Sequence, residues 1–218
     1  MPTLLVFLKY PAPGQVKTRL ASSVGDQQAA ALYHEWIGVV LAKMQPLRET
    51  IRVVGYFDGA PLADFAVWRP LADAWWPQPA SDLGARLAIG FEKAHCDGSP
   101  VVAIGTDCLE LDMALVKEAF VRLAKSDVVF GPAIDGGYYL VGTSQHLPSF
   151  FVGVPWSDSK TLSSHVALCE RNGWTYSTLP PRRDIDTIDD WRSHCSKVLR
   201  LDTEQFTTTD CGGGHTHA

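Results

Sequence analysis

Short apolar runs alternate with amphipathic stretches along nearly the whole chain, and this alternation restricts the fold more than any other feature. Thr3–Lys9 reads "TLLVFLK", a strand with no polar face. Between Asp26 and Gln45 the apolar positions Ala30, Tyr33, Ile37, Val40, Leu41 and Met44 recur at helical spacing. "TIRVVGYF" ends in Asp58-Gly59, a turn signal. Asp82 opens a helix running to about His95, and the strand "PVVAIG" stops at Thr106-Asp107. A helix over Asp112–Lys125 is capped by Asp112 and carries Leu115, Ala119, Phe120 and Leu123 on one face. The strand "DVVFGPA" leads through a glycine turn to "DGGYYLVG"; then come a helix from Ser157 to about Asn172, the strand "WTYSTLP" and a helix from near Thr187. Trp68, Trp75 and Trp76, mixed with prolines, read as a packed loop over the sheet edge.

Strands apolar on both faces, separated by helices, specify an α/β protein. The expected architecture is a three-layer α/β/α sandwich with a mainly parallel, mixed sheet. Residues 1–206 read as one domain, and 207–218 ("TTTDCGGGHTHA") as a flexible tail, a reading preferred to a stray-metal site at Cys211, His215 and His217. The five cysteines, odd in number and widely spaced, fit reduced thiols, each read as a small buried hydrophobe. The opening apolar run is too short for a signal segment or a membrane span, so a cytoplasmic protein is expected. A net charge of -5 and a pI near 5.8 argue against a nucleic-acid partner.

Against that acidic background, the loop after the first strand is conspicuously basic. "LKYPAPGQVKTRL" holds Lys9, Lys17 and Arg19. Parallel sheets bind ligands at the carboxyl ends of their strands, where loop amides converge. Pro11 and Pro13 stiffen this loop, and Gly14 lets backbone approach a ligand. Lys17 and Arg19 supply a point charge and a planar fork suited to phosphate oxygens. The known motifs do not account for it: the P-loop glycine and Gly-Lys pair are absent, as are G-x-G-x-x-G and G-x-S-x-G, and His34-Glu35 lacks the second histidine of a zinc protease.

Phosphates at that loop imply a divalent metal, Mg²⁺ or Mn²⁺, and acids at other strand ends to hold it. Asp107 follows a buried strand, where an acid has no packing role; Asp112 is better placed to cap the next helix. Asp135 precedes Gly136-Gly137 and is either an Asx-turn residue or a ligand. In "DIDTIDDW", Thr187 and Asp190 match a capping box, leaving one of Asp184 and Asp186 as a second metal ligand. Asp82 and Arg86 open a helix and stand as candidate contacts to a base or ribose. Tyr138 and Tyr139 alternate sides, so that one lines a pocket and the other packs.

The ordered motifs "FLKYPAPGQVKTRL", "DLGARLAIGFEKA", "AIGTDCLEL", "VVFGPAIDGGYYLVG", "PWSDSKT" and "DIDTIDDW" resemble those of the DUF2064 family, also described as radical-SAM/selenodomain-associated transferase 1. The resemblance spans about residues 3–195. It implies a GT-A, nucleotide-diphospho-sugar transferase-like fold, related to nucleotidyltransferases such as 2-phospholactate guanylyltransferase and the molybdenum-cofactor enzymes. It would place Lys17 and Arg19 at the nucleotide phosphates, Asp107 and Asp186 at the metal, and Asp135 with Gly136, Gly137 and Tyr138 on the acceptor side. The implied activity is metal-dependent glycosyl transfer from a nucleoside-diphosphate sugar to an unknown acceptor. The alternatives are nucleotidyl transfer from a triphosphate with release of pyrophosphate, and a non-catalytic nucleotide-binding accessory protein. One departure stands out: the family usually reads Gly-Thr-Asp-Cys/Ser-Pro-Asp-Leu, whereas Leu109-Glu110 replaces its Pro-Asp here.

Overall fold

The computed structural model describes residues 1–156 and 158–207, with side chains through Lys197. Its order is β1 (Thr3–Lys9), α1 (Thr18–Val24), α2 (Asp26–Met44), β2 (Arg52–Asp58), β3 (Ala74–Pro77), α3 (Leu83–Asp97) and β4 (Val101–Ile104). It continues with α4 (Met113–Leu123), β5 (Val128–Pro132), β6 (Tyr138–Thr143), α5 (Thr161–Asn172), β7 (Tyr176–Thr178) and α6 (Ile188–Thr207). Asp82 and Asp112 cap α3 and α4 as expected, each accepting a hydrogen bond from a backbone N–H three residues on. The expected tail lies outside the described residues except for Thr207, the last residue of α6. Among the described residues no helix is long and apolar enough to cross a membrane.

The seven strands form one sheet in the order β3-β2-β1-β4-β6-β5-β7. Only β6 runs against its neighbours; the other pairings are parallel. Alternation along β1 splits its side chains between two cores. Leu4, Val6 and Leu8 pack with α2 and α4 residues such as Ile37, Leu41, Val116 and Ala119. Leu5 faces the opposite core, with Leu87 and Phe91 of α3 and Cys169 of α5. The sheet is thus covered on both faces, the expected three-layer arrangement.

Two local expectations need correction. The tryptophan segment is not only a loop, because Ala74–Pro77 pairs in parallel with β2 as an edge strand. Gly55 of β2 has no side chain, and the Trp75 ring fills that space: a Cβ there would lie 2.6 Å from the indole. Pro77 is tolerated because an edge strand needs no N–H donor on its open side. Cys96 is exposed and Cys195 half-buried, whereas Cys108 and Cys169 are buried as expected. The helix α1 had no counterpart in the sequence reading; its seven residues are too few for a periodic signal.

Candidate active site

The carboxyl ends of β1, β2, β4 and β5 lie along one edge, and the reversal of β6 brings its first residue, Tyr138, to that same edge. The chain after β7 is threaded into this edge by backbone bonds. Ile134 N–H donates to the Arg182 carbonyl at 3.1 Å, and Ile185 N–H to the Asp107 carbonyl at 2.9 Å. That threading brings Asp184 and Asp186 beside Asp107, far from them in sequence.

Lys17 is the centre of the cluster. Its Nζ lies 2.8 Å from Asp107 Oδ1 and 2.9 Å from Asp186 Oδ1, and it donates to the Ile185 carbonyl at 2.7 Å. The lysine side chain is 6% exposed, against 44% and 37% for the two aspartates. Burial alone lowers the pKa of this ammonium, but the Asp107 and Asp186 carboxylates outweigh it and hold the pKa above its ordinary value. Beneath it lie the Trp36 ring, 5.6 Å from Nζ, and the Tyr33 ring, at 5.9 Å. Arg19 is exposed and reaches Asp186 Oδ2 at 3.4 Å.

Tyr33 also fixes the loop that carries Asp107. Its hydroxyl is 2.8 Å from Thr106 Oγ1 and accepts from the Lys9 backbone N–H at 3.3 Å. The altered Leu109-Glu110 stretch is held by other means than proline. Lys43 donates to the Leu109 and Leu111 carbonyls at 2.7 and 3.3 Å, and Glu110 pairs with Lys197 at 2.6 Å.

Three clefts meet at the acids. The first, about 300 Å³, runs from Asp107 and Asp184 over Phe7, Leu87 and Tyr138 to Arg86. The second, about 320 Å³, holds Lys9, Lys17 and Arg19 with Asp107 and Asp186. The third, about 200 Å³, holds Asp135, Arg183, Asp184 and Asp186, with Arg19 at the shared rim. Asp184 lies between the first and third. Burial, followed by the Asp107 charge, pushes its carboxyl up to about 7, and its Oδ1 is buried without a hydrogen-bond partner among the described residues.

Of the residues singled out in the sequence, Lys17, Arg19, Asp107 and Asp186 come together, and Asp135 lies across the shared rim. Asp135 does form the Asx turn, its Oδ1 accepting from Gly137 N–H at 3.0 Å. Arg86 lines the first cleft, where Asp58 Oδ2 at 2.6 Å and Gln78 Oε1 at 3.0 Å hold it. Asp82 caps α3 through Ala85 N–H and lies outside all three clefts. Gly14, at φ 74°, shapes the basic loop without lining it. Gly136 faces Ser159 at the approach to α5, where any side chain would meet that residue's carbonyl. Both tyrosines after it, not one, line the first cleft; the Tyr138 hydroxyl is buried without a hydrogen-bond partner among the described residues, and the Tyr138 and His165 ring centroids are 5.5 Å apart. Sequence reasoning did not single out Tyr33 and Trp36 as site residues, nor Asp58, Gln78 or Arg183. Tyr33 carried a signal, since a tyrosine amid helix core positions needs a partner for its hydroxyl.

The fit of a divalent ion follows from these oxygens. Asp107 and Asp186 each direct an oxygen at one cation position, which Lys17 Nζ holds. Among the described residues no group of three or more potential ligands converges as a metal cage. Such a site suits Mg²⁺ or Mn²⁺ held by one or two carboxylates together with substrate phosphates and water.

A mixed sheet of this order, with acids and cations gathered at its carboxyl edge, is the fold of nucleotide-diphospho-sugar transferase-like proteins. The chain belongs to the family described as an uncharacterized protein conserved in bacteria (DUF2064), whose model matches residues 40–158. A crystal structure from Desulfovibrio desulfuricans, named as a candidate nucleotide-diphospho-sugar transferase, superposes with a TM-score of 0.78 at 32% identity, covering 87% of this chain and 84% of that one. A nucleotidyl transferase from Methanothermobacter shares the fold at 13% identity and a TM-score of 0.60, with 92% and 99% of the chains covered. So does Rv0371c of Mycobacterium tuberculosis, crystallised as a complex with manganese, at 14% identity and a TM-score of 0.51, with 88% and 96% covered. No functionally curated protein matches the chain.

Proposed function

We propose that residues 1–206 form a metal-dependent transferase that binds a nucleoside-diphosphate sugar and transfers its glycosyl group to an acceptor. The observation that carries this reading is the convergence of Asp107 and Asp186 on one cation position beside the cleft of Lys9, Lys17 and Arg19. The name of the Desulfovibrio relative, at 32% identity, supports the donor class.

In this reading the diphosphate lies in the cation-lined cleft. Arg19, exposed and forked, meets phosphate oxygens, and Lys17 adds a compact charge where the leaving group gains negative charge. Asp107 and Asp186 hold Mg²⁺ or Mn²⁺, which supplies charge neutralisation to that leaving group. The first cleft, apolar along Phe7, Leu87 and Tyr138 with Arg86 and Gln78 at its polar end, takes the base and ribose. Asp135 orients or deprotonates the acceptor hydroxyl through Oδ2, since Oδ1 is committed to Gly137 N–H.

A second reading, nucleotidyl transfer, uses the same cleft but places the attack at the α-phosphate of a triphosphate. It is favoured by the nucleotidyl transferase among the fold relatives. A thermal-shift screen of nucleotides and sugar nucleotides, with and without Mn²⁺, tests both. A sugar nucleotide that raises the melting temperature only with metal is expected. Release of pyrophosphate from a triphosphate overturns the glycosyl reading in favour of the second. In Asp107→Asn the metal-dependent shift disappears; its survival removes Asp107 from the site.

A further inference from the structure

Lys17 sits where a phosphate-binding cation is of least use. Its ammonium donates to Asp186 Oδ1 at 2.9 Å and to the Ile185 carbonyl at 2.7 Å, and it forms an ion pair with Asp107 Oδ1 at 2.8 Å. Its backbone adopts φ 47°, ψ 43°, a left-handed conformation that non-glycine residues seldom take and that aims the side chain inward at the acids. The Trp36 and Tyr33 rings close the floor below it. The same two carboxylate oxygens that complete a metal site are therefore occupied by a covalently attached cation. An ammonium and a divalent ion cannot share them, since both need those lone pairs and they repel each other.

We propose that Lys17 is a displaceable counter-ion. In the ligand-free protein it fills the cation position between Asp107 and Asp186; when nucleotide phosphates arrive it transfers to them and frees both carboxylates. The divalent ion consequently binds with the nucleotide and not before it. Arg19 is placed to start the exchange, being exposed and only 3.4 Å from Asp186 Oδ2. Phosphates drawn to Arg19 approach within reach of Lys17, and the pair trades carboxylate for phosphate.

This inference rests on the transferase reading for its phosphate ligand, but its central claim is competition between Lys17 and a metal, which needs no turnover. The test is a Mn²⁺ titration followed by the electron paramagnetic resonance of the free ion, without nucleotide. It compares wild type, Lys17→Met and Lys17→Met/Asp107→Asn. Removing the lysine charge is expected to tighten Mn²⁺ binding at least roughly tenfold over wild type, and the added Asp107→Asn to abolish the gain. Equal Mn²⁺ affinity in wild type and Lys17→Met overturns the proposal, as does tight binding by wild type alone. Should Lys17→Met fold poorly, Lys17→Gln removes the charge while retaining a donor. Its melting temperature is then expected to rise with Mn²⁺ more than that of wild type, and an equal rise overturns the proposal. The two readings fail separately. A wild-type protein whose melting temperature ignores every nucleotide removes the transferase, while a gain of Mn²⁺ affinity in Lys17→Met still establishes the competition.

Discussion

Replacing Tyr33 by Phe deletes one oxygen that joins three parts of the site edge. The hydroxyl is 2.8 Å from Thr106 Oγ1 and accepts from the Lys9 N–H at 3.3 Å. Tyr33 and Thr106 are only 6% and 1% exposed, so water does not replace the lost partner. A buried polar group left unsatisfied costs about 1–3 kcal/mol. Taking about 1.5 kcal/mol for Tyr33→Phe, the melting temperature falls by roughly 3–6 °C for a chain of this size. Thr106→Val alone leaves the phenol short of its better partner and costs a similar amount. The double variant removes both members of the shorter bond, so its cost falls below the sum by about 1 kcal/mol. Recovery is partial because the Lys9 N–H still lacks its acceptor. Urea unfolding followed by tryptophan fluorescence gives the three values. Additivity within about 0.3 kcal/mol shows no coupling between the two hydroxyls and refutes their role in fixing the Asp107 loop.

Gly136→Ala is expected to destabilise by about 2 kcal/mol or more, because its φ of 95° and the Ser159 carbonyl both exclude a side chain; chemical denaturation measures this. Thr187→Ala removes the hydroxyl bonded to Asp190 N–H at 3.3 Å and to Asp190 Oδ2 at 2.7 Å, at a cost of about 1 kcal/mol in the same assay. Burial lowers the pKa of His165 to about 4. The native imidazole thus stays neutral where the unfolded one, near 6.5, takes up a proton. Its contribution to stability is full above pH 6.5 and is lost as pH falls toward 4. His165→Phe, within a ring of Phe130, Phe150 and Trp156, is expected to flatten that slope in melts at pH 7.5 and 5. Some slope remains through His95, whose pKa burial also lowers to about 4.

Most of the fold was legible because its signals are local. The run of apolar residues from Thr3 to Lys9 forms a strand with those same bounds, and Asp82 and Asp112 cap the helices that they precede. The strand at Ala74–Pro77 escaped notice because a four-residue edge strand ending in proline carries no period of its own; it exists through the fit of Trp75 over Gly55. In the site, the separate charges were legible but their pairing was not. Lys17 and Arg19 read as cations for phosphate oxygens, and the pairing of Lys17 with Asp107 and Asp186 is a contact that only tertiary threading creates. The family resemblance places Gly136 on the acceptor side, whereas its packing against the Ser159 carbonyl is a tertiary contact with no local signal. The capping box of Thr187 and Asp190 was read correctly, and by accounting for those two residues it isolated Asp184 and Asp186 as the pair left to explain.

The bond from Lys17 to Asp186 spans 169 residues. A ribosome adding 5–20 residues per second needs roughly ten to thirty seconds to travel that distance. For that interval the nascent chain has made Lys17, and later Asp107, with no Asp186 for either to work beside. The acid edge is therefore completed only after the residues of all seven strands have been made, and a chain that stops before Asp186 lacks one of the two carboxylates that pair with Lys17.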